Sequence, residues 1–322
     1  MTTASPTTGS LIGLLLLLAA GCQGDAALPE APAPLPPLGA FDEQRAWQLL
    51  LDQVALGPRP AGSTGAAANR DLIVAELERA GLQPVREPFT ATTPAGEVEM
   101  ENVWAEFTGT PGPGGEAAPV LVLGAHYDTK RLPFEFVGAN DGASETAGLL
   151  ELARIVAAGP PRPLTYRFVF FDGEEAVRHD WADPDNRYGS RHHVRELTKQ
   201  RGALKRVRAM VLIDMIGDRN LRLERDTNSS RELLAIFTRT AEALGDDQLF
   251  APYALPIKDD HQSFLEFGIP AVDLIDLSYG AVGNEYWHTA EDTVDKCSAE
   301  SLGRVGRLVL AALPELEARF GR

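Results

Sequence analysis

Tyr166-Arg167-Phe168-Val169-Phe170-Phe171-Asp172-Gly173-Glu174-Glu175-Ala176 is the stretch on which the fold turns. Tyr166 to Phe171 shows no alternation of apolar and polar residues, the pattern of a strand buried on both faces. Acidic residues follow at once, from Asp172. The same arrangement recurs elsewhere. Val120 to Leu123 is a short apolar strand with His126 and Asp128 just beyond it, and Val211-Leu212-Ile213-Asp214-Met215-Ile216 is an apolar run with a carboxylate inside it. Ala271 to Ile275 reads as another strand, and Val85–Ala91 and Val98–Phe107 as two more. Helical spacing fills the intervals: Phe41–Val54, Ala66–Ala80, Ala147–Ala158, Arg231–Leu244 and Ser298–Phe320. The breaks fall at Gly57–Gly62, Gly81 and the Gly/Pro-rich stretch from Thr108 to Ala118. Unalternating strands interleaved with helices predict an α/β protein whose mostly parallel sheet carries helices on both faces.

The 322 residues suffice for one large domain or two small ones, and 44% apolar content allows a sizeable core. A formal net charge of −16 repels phosphate backbones, so nucleic acid is not an expected partner. It repels anionic lipid too, so an attachment to membrane has to be covalent.

The N-terminus offers such an attachment. Leu11 to Ala20 is apolar but too short to span a bilayer. It ends in Ala19-Ala20-Gly21-Cys22, which resembles the lipobox of bacterial lipoproteins, where the signal is cut before a cysteine that is then lipidated. One departure is that Met1 to Ser10 contains no Lys or Arg. Five prolines between Gln23 and Gly39 make an extended spacer. The expected layout is a signal peptide over 1–21, a Pro-rich linker over 22–40 after lipidated Cys22, and a catalytic domain over 41–322. The expected protein is an exported, membrane-anchored monomer in which Cys297 has no disulfide partner.

Candidate chemistry clusters just after the strands. Beyond His126, Asp128 and the Asp172–Ala176 segment, Asp141 lies in Gly138-Ala139-Asn140-Asp141-Gly142, a loop opening a helix, and His288 lies in Trp287-His288-Thr289. In an open α/β sheet the ligand crevice lies beyond the carboxyl ends of the strands, where these residues can converge. Asp214 stands inside an apolar run, and burying an unpartnered carboxylate there costs several kcal/mol. It therefore needs a partner, a proton or a metal. Oxygen and imidazole donors without thiolate are the ligand chemistry of a catalytic zinc site, though cobalt or another divalent ion accepts them too.

The series His126-Tyr127-Asp128, Asp141-Gly142, Glu174-Glu175, Asp214 and His288-Thr289 resembles the zinc aminopeptidase and glutaminyl cyclase superfamily, over about Phe41 to Phe320. The resemblance implies a single zinc exopeptidase-like α/β domain with a mixed, mainly parallel sheet. It implies different chemistry in its two branches. In an aminopeptidase, two zinc ions would take His126, Glu175, Asp214 and His288 with Asp141 bridging, and Glu174 would activate water. In a glutaminyl cyclase, one zinc would take Asp141, Glu175 and His288. Glu174 would then shuttle protons, and Asp214 would be a hydrogen-bonding catalytic acid.

Several segments look like the cyclase branch: Phe170–Ala176, Trp181, Tyr188-Gly189-Ser190-Arg191-His192, and Asp259-Asp260-His261 followed by Phe264 and Gly268-Ile269-Pro270. Trp287 directly before His288 is another such feature. This branch implies a glutaminyl-peptide cyclotransferase acting on peptide or protein N-termini, with Asp259 as a catalytic partner of Asp214 and with Trp181 and Trp287 against the substrate. Three features depart from it. His288–Thr293 is similar to the aminopeptidase ending, Asp273 stands where a cyclase histidine is expected, and Ser278–Tyr286 does not match the cyclase pocket loop. A non-catalytic binding module of this fold would have lost ligands, whereas every expected ligand position is filled.

Overall fold

The computed structural model describes residues 36–178, 181–280 and 283–321. The signal segment, Cys22 and linker residues 22–35 lie outside the described residues. Among the described residues, no helix is long and apolar enough to cross a membrane. The chain runs through α1 (Glu43–Val54), α2 (Thr64–Arg79), β1 (Val85–Thr93), β2 (Gly96–Phe107), β3 (Val120–His126), α3 (Ser144–Ala157) and β4 (Thr165–Phe171). It continues through α4 (Tyr188–Lys199), α5 (Ala203–Arg206), β5 (Val207–Asp214), β6 (Leu223–Asp226), α6 (Arg231–Ala243), β7 (Phe250–Leu255), α7 (His261–Leu265), β8 (Ala271–Ile275) and α8 (Ala299–Phe320). All belong to one compact unit.

The central sheet has the order β1-β2-β4-β3-β5-β8. β4, β3, β5 and β8 are parallel, while β1 and β2 form an antiparallel hairpin that adds to β4 antiparallel. The absence of alternation in the sequence now has its cause. Leu121, Leu123, Phe168, Phe170, Val211 and Ile213 face a core shared with α1, α2, α3, α6 and α8. Their neighbours Val120, Val122, Val169, Phe171, Met210 and Leu212 face a second core with Val194 and Leu197 of α4 and Phe264 of α7. Both faces of β3, β4 and β5 are therefore covered.

Chain order places β4 on one side of β3 and β5 on the other. The strand order thus reverses at β3, and the crevice such a reversal opens lies beyond the carboxyl ends of β4, β3 and β5.

Three features differ from the sequence expectation. The strand around Asp214 starts at Val207 and stops at Asp214, because Met215 has φ 48 and leaves the extended region. Asp214 is thus at the open edge of the sheet rather than inside an apolar run. Helix α4 is not visible in the apolar pattern because Gly189, Ser190 and His193 take buried positions alongside Val194 and Leu197. Leu38, counted in the linker by composition, packs against the main core, and Arg162 Nη1 donates to the Pro36 carbonyl at 2.9 Å. The folded part therefore includes residues 36–40.

Away from the crevice, Glu224 of the two-stranded β6–β7 sheet is buried, and its Oε2 has no hydrogen-bond partner. Burial first, and the Asp276 carboxylate second, push its acid up to about 7. The folded pKa is above the unfolded value, so the charged form costs stability above pH 7, and that cost fades as the pH falls toward 4.5. Glu224→Gln is expected to raise Tm at pH 8 by about 1–2 °C, the shift that about 1 kcal/mol produces in a folded unit this long. The gain should vanish at pH 4.5. A thermal melt series settles it, and a pH-independent effect would mean that the side chain matters only for packing.

Candidate active site

His126 and Asp214 end β3 and β5, and Glu174 and Glu175 follow β4 in a short loop. The loop backbone is pinned on both sides. Glu174 N–H donates to Asp128 Oδ1 at 3.1 Å, and Arg187 N–H donates to the Glu174 carbonyl at 2.8 Å. Asp172 accepts from Glu101 N–H at 2.9 Å and from Arg70 Nη1 at 3.2 Å, which ties the loop to β2 and α2. Asp141 sits in the turn before α3, where Gly138 has φ 51 and Gly142 φ 104. A Cβ at Gly138 would overlap the Asp141 carbonyl, so the turn demands glycine there.

Asp292 fixes the same turn, accepting from Asn140 N–H at 2.8 Å and Asp141 N–H at 3.2 Å. The deeply buried Arg59 donates to the carbonyls of Val137 at 2.8 Å and Gly138 at 3.0 Å. His288 has φ 55, and Met215, next to Asp214, has φ 48. Left-handed backbone at non-glycine residues is sparsely populated and collects at functional sites.

These elements gather Asp141, Glu175 and His288. His288 Nε2 is 2.9 Å from Glu175 Oε1 and 3.3 Å from Asp141 Oδ2. One donor atom from each of the three lies within 4.8 Å of the others. Asp141 Oδ2 and Glu175 Oε2 are buried without hydrogen-bond partners. Burial disfavours a charged imidazole at His288, yet the Glu175 and Asp141 carboxylates outweigh it and raise its pKa to about 9. Two buried carboxylates and an imidazole converging on one point call for a positive charge, and the donor set suits zinc. Behind Glu175, the buried Lys130 ammonium lies 3.4 Å from Oε2 with no hydrogen bond of its own.

A second group stands next to the first. His126 Nε2 is 3.0 Å from Glu145 Oε1 and 3.3 Å from both Asp141 Oδ1 and Asp214 Oδ1. The four side chains form a buried set with ligand spacing. The sequence reading named His126, Asp141 and Asp214 but missed Glu145, Asp292, Lys130 and Arg59. A signal existed for two of them. Glu145 stands four residues after Asp141, just beyond the Gly138–Gly142 loop, and Asp292 stands four after His288, inside the His288–Thr293 segment already quoted.

A cavity of about 390 Å³ opens onto the first group. Its lining includes Asp141, Glu174, Glu175, Asp214, Asp259 and His288, with Trp181 and Trp287 among its apolar walls. His126 is not part of the lining; it lies buried beneath, against Asp141 and Asp214. Trp181 Nε1 donates to Glu174 Oε1 at 2.9 Å, and the Trp287 ring stacks on His288 at 3.8 Å between centroids. Burial first, then the Glu175 carboxylate, push the Glu174 acid well above the usual carboxylate range. Burial and the Asp273 carboxylate do the same for Asp259. Asp273, in the place of an expected histidine, is buried in β8 with His261 Nδ1 3.7 Å from its Oδ2. His261 Nε2 meets Asp226 Oδ2 at 3.2 Å, so an imidazole is present behind this wall, supplied from α7.

Residues 102–313 match peptidase family M28. The glutaminyl-peptide cyclotransferase-like protein of Mus musculus is 32% identical over 306 residues, covering 86% of this chain and 77% of that protein. The crystal structure of an Acidobacteriales bacterium glutaminyl cyclase superposes with a TM-score of 0.82 at 36% identity, covering 91% of this chain and all of the other. A Zn-dependent exopeptidase from Parabacteroides distasonis shares the fold, with a TM-score of 0.73 at 24% identity over 88% of this chain and 99% of that one. The chain belongs to peptidase family M28, in its glutaminyl-peptide cyclotransferase branch.

Proposed function

We propose that this protein is a zinc-dependent glutaminyl-peptide cyclotransferase, converting N-terminal glutamine of peptides to pyroglutamate with release of ammonia. The observation that carries it is the cavity in which Glu174, hydrogen-bonded by an indole, faces the Asp141, Glu175 and His288 group between two tryptophans. Those three residues would hold the zinc, which when bound supplies Lewis acidity toward the side-chain amide oxygen. Glu174 accepts a proton from the α-amine and delivers it to the departing ammonia. The freed amine attacks the side-chain carbonyl carbon, the bond to the amide nitrogen breaks, and a five-membered lactam remains. Asp214, backed by Asp259, orients Glu174 and balances the positive charge on the amine. Trp181 and Trp287 wall the pocket against water. Attack within one residue exploits intramolecular proximity, worth about 7–11 kcal/mol when well oriented.

The alternative, a two-zinc aminopeptidase, is favoured by one observation: the His126, Asp141, Glu145 and Asp214 set has the spacing of a second metal position. One experiment separates the two. On the folded domain, zinc per chain is counted and a Gln-initiated dipeptide is supplied. One zinc, ammonia and an intact peptide bond support the cyclase. Two zincs and a released amino acid make it an aminopeptidase, with His126 and Asp214 as ligands.

The lipobox-like Ala19–Cys22 makes the enzyme, in this proposal, an exported lipoprotein. Cys22→Ser should move it from the membrane to the soluble fraction, and unchanged partitioning would remove the anchor.

A further inference from the structure

The cavity rim carries a charge that the reaction itself does not use. Its interior presents the carboxyl groups of Asp141, Glu174, Glu175, Asp214 and Asp259, all buried. Its exposed rim includes Asn228, Pro256 and Lys258. Lys258 is the only Lys or Arg among the described residues that line it. In a chain of net charge −16, a cation at the mouth of an acidic cavity creates a local field opposite to its surroundings.

The backbone that carries Lys258 is held firmly. Ile257 N–H donates to Asp226 Oδ1 at 2.8 Å, and Asn228 Nδ2 donates to the Ile257 carbonyl at 2.6 Å. Asp259, the next residue, is buried. The side chain of Lys258, by contrast, is 64% exposed. Among the described residues its carboxylate neighbour is Asp183, whose Oδ2 lies 3.7 Å from Nζ. That carboxylate is already claimed. Arg187 Nη2 donates to Asp183 Oδ1 at 2.7 Å, and Arg191 pairs with the same oxygen. Among the described residues, the Lys258 ammonium is therefore fixed at its root and shares its carboxylate neighbour with two guanidinium groups.

We propose that Lys258 is a specificity residue that reads a carboxylate just beyond the N-terminal glutamine. This rests on the cyclotransferase function. The ammonium end of the substrate points inward to the acidic interior, and the following residue passes the rim. A carboxylate there comes either from an acidic side chain at the second position or from the free C-terminus of a dipeptide. The preferred substrates are thus peptides beginning Gln-Glu or Gln-Asp, and unblocked Gln dipeptides.

The test is ammonia release from Gln-Glu-Ala-amide, Gln-Ala-Ala-amide and Gln-Lys-Ala-amide, with Gln-Ala against Gln-Ala-amide to separate the two carboxylate sources. The native enzyme should show kcat/KM about 3–5-fold higher for the acidic than for the neutral tripeptide, the range of an exposed ion pair. The order should be acidic, neutral, basic, and 0.5 M NaCl should compress it. Lys258→Met should bring the acidic peptide level with the neutral one, and Lys258→Glu should invert the order. Asp183→Asn should widen the native preference. Equal rates for the three tripeptides in the native enzyme, or an acidic preference that survives Lys258→Met, would overturn the proposal. Absence of ammonia from every peptide overturns the cyclotransferase function instead, and the role of Lys258 falls with it.

Discussion

Glu174→Gln is expected to lower kcat by about 10²–10⁴-fold while leaving the zinc content at its native value. The substitution is nearly isosteric. The amide oxygen of glutamine can still accept the Trp181 Nε1 hydrogen bond now made to Glu174 Oε1 at 2.9 Å, so the pocket wall should not move. The backbone of the residue is pinned by Asp128 and Arg187 independently of its side chain. In the proposed mechanism, what disappears is the capacity to take a proton from the α-amine and return it to ammonia. Substrate binding should change little, because the tryptophan walls and the ligands are untouched. The effect therefore belongs in kcat rather than KM. Steady-state ammonia release with zinc analysis on the same sample decides it. Turnover within tenfold of native would show that another group moves the proton.

Glu175→Gln, one residue away, should do something different: weaken zinc binding by more than the 10–100-fold typical of losing an outer partner, and lose activity along with the metal. Glu175 Oε1 lies 2.9 Å from His288 Nε2, whereas Oε2 faces Lys130 at 3.4 Å. A neutral amide keeps the volume but offers the metal only a carbonyl oxygen. It also leaves the buried Lys130 ammonium without its carboxylate, so the metal-free variant should melt below the metal-free native protein. A competition titration with a chromophoric chelator measures the first effect, and a thermal melt after chelation measures the second. Zinc affinity equal to native would remove Glu175 from the ligand set. Together the two variants separate adjacent acids that sequence alone presents as a pair: one loses chemistry with metal retained, the other loses metal.

Much of this was legible in the residues. Runs such as Tyr166–Phe171 carry no alternation because both faces of the strand are buried, and that is a purely local signature. Asp141, Glu174, Glu175 and His288 were legible because each stands beside a strand end or turn with a distinctive neighbour: Gly142, Phe171 or Trp287. Helix α4 was not, since its buried face includes Gly189, Ser190 and His193, whose fit depends on what packs against them. Strand β6 was not either, because Leu-Glu-Arg-Asp reads as a solvated turn until β7 pairs with it.

By itself the sequence determined the fold class, the mostly parallel sheet and a set of oxygen and imidazole donors placed after strand ends. These are consequences of local hydrophobic pattern and of residue chemistry. Only the tertiary structure decided how those donors group. His126 and Glu145 are 19 positions apart, 145 − 126, and both are far from Asp214, yet all three meet at Asp141 on one side while Glu175 and His288 meet it on the other. It also decided that Asp292, Arg59 and Lys130 support the site, and that a single ammonium stands at the rim of an acidic cavity among the described lining residues. A charged side chain carries no mark of its partner. Whether it ligates, braces or greets the substrate is set by which groups the crossing of β3, β4 and β5 brings within about 3 Å, the range over which carboxylate, imidazole and ammonium groups act on one another.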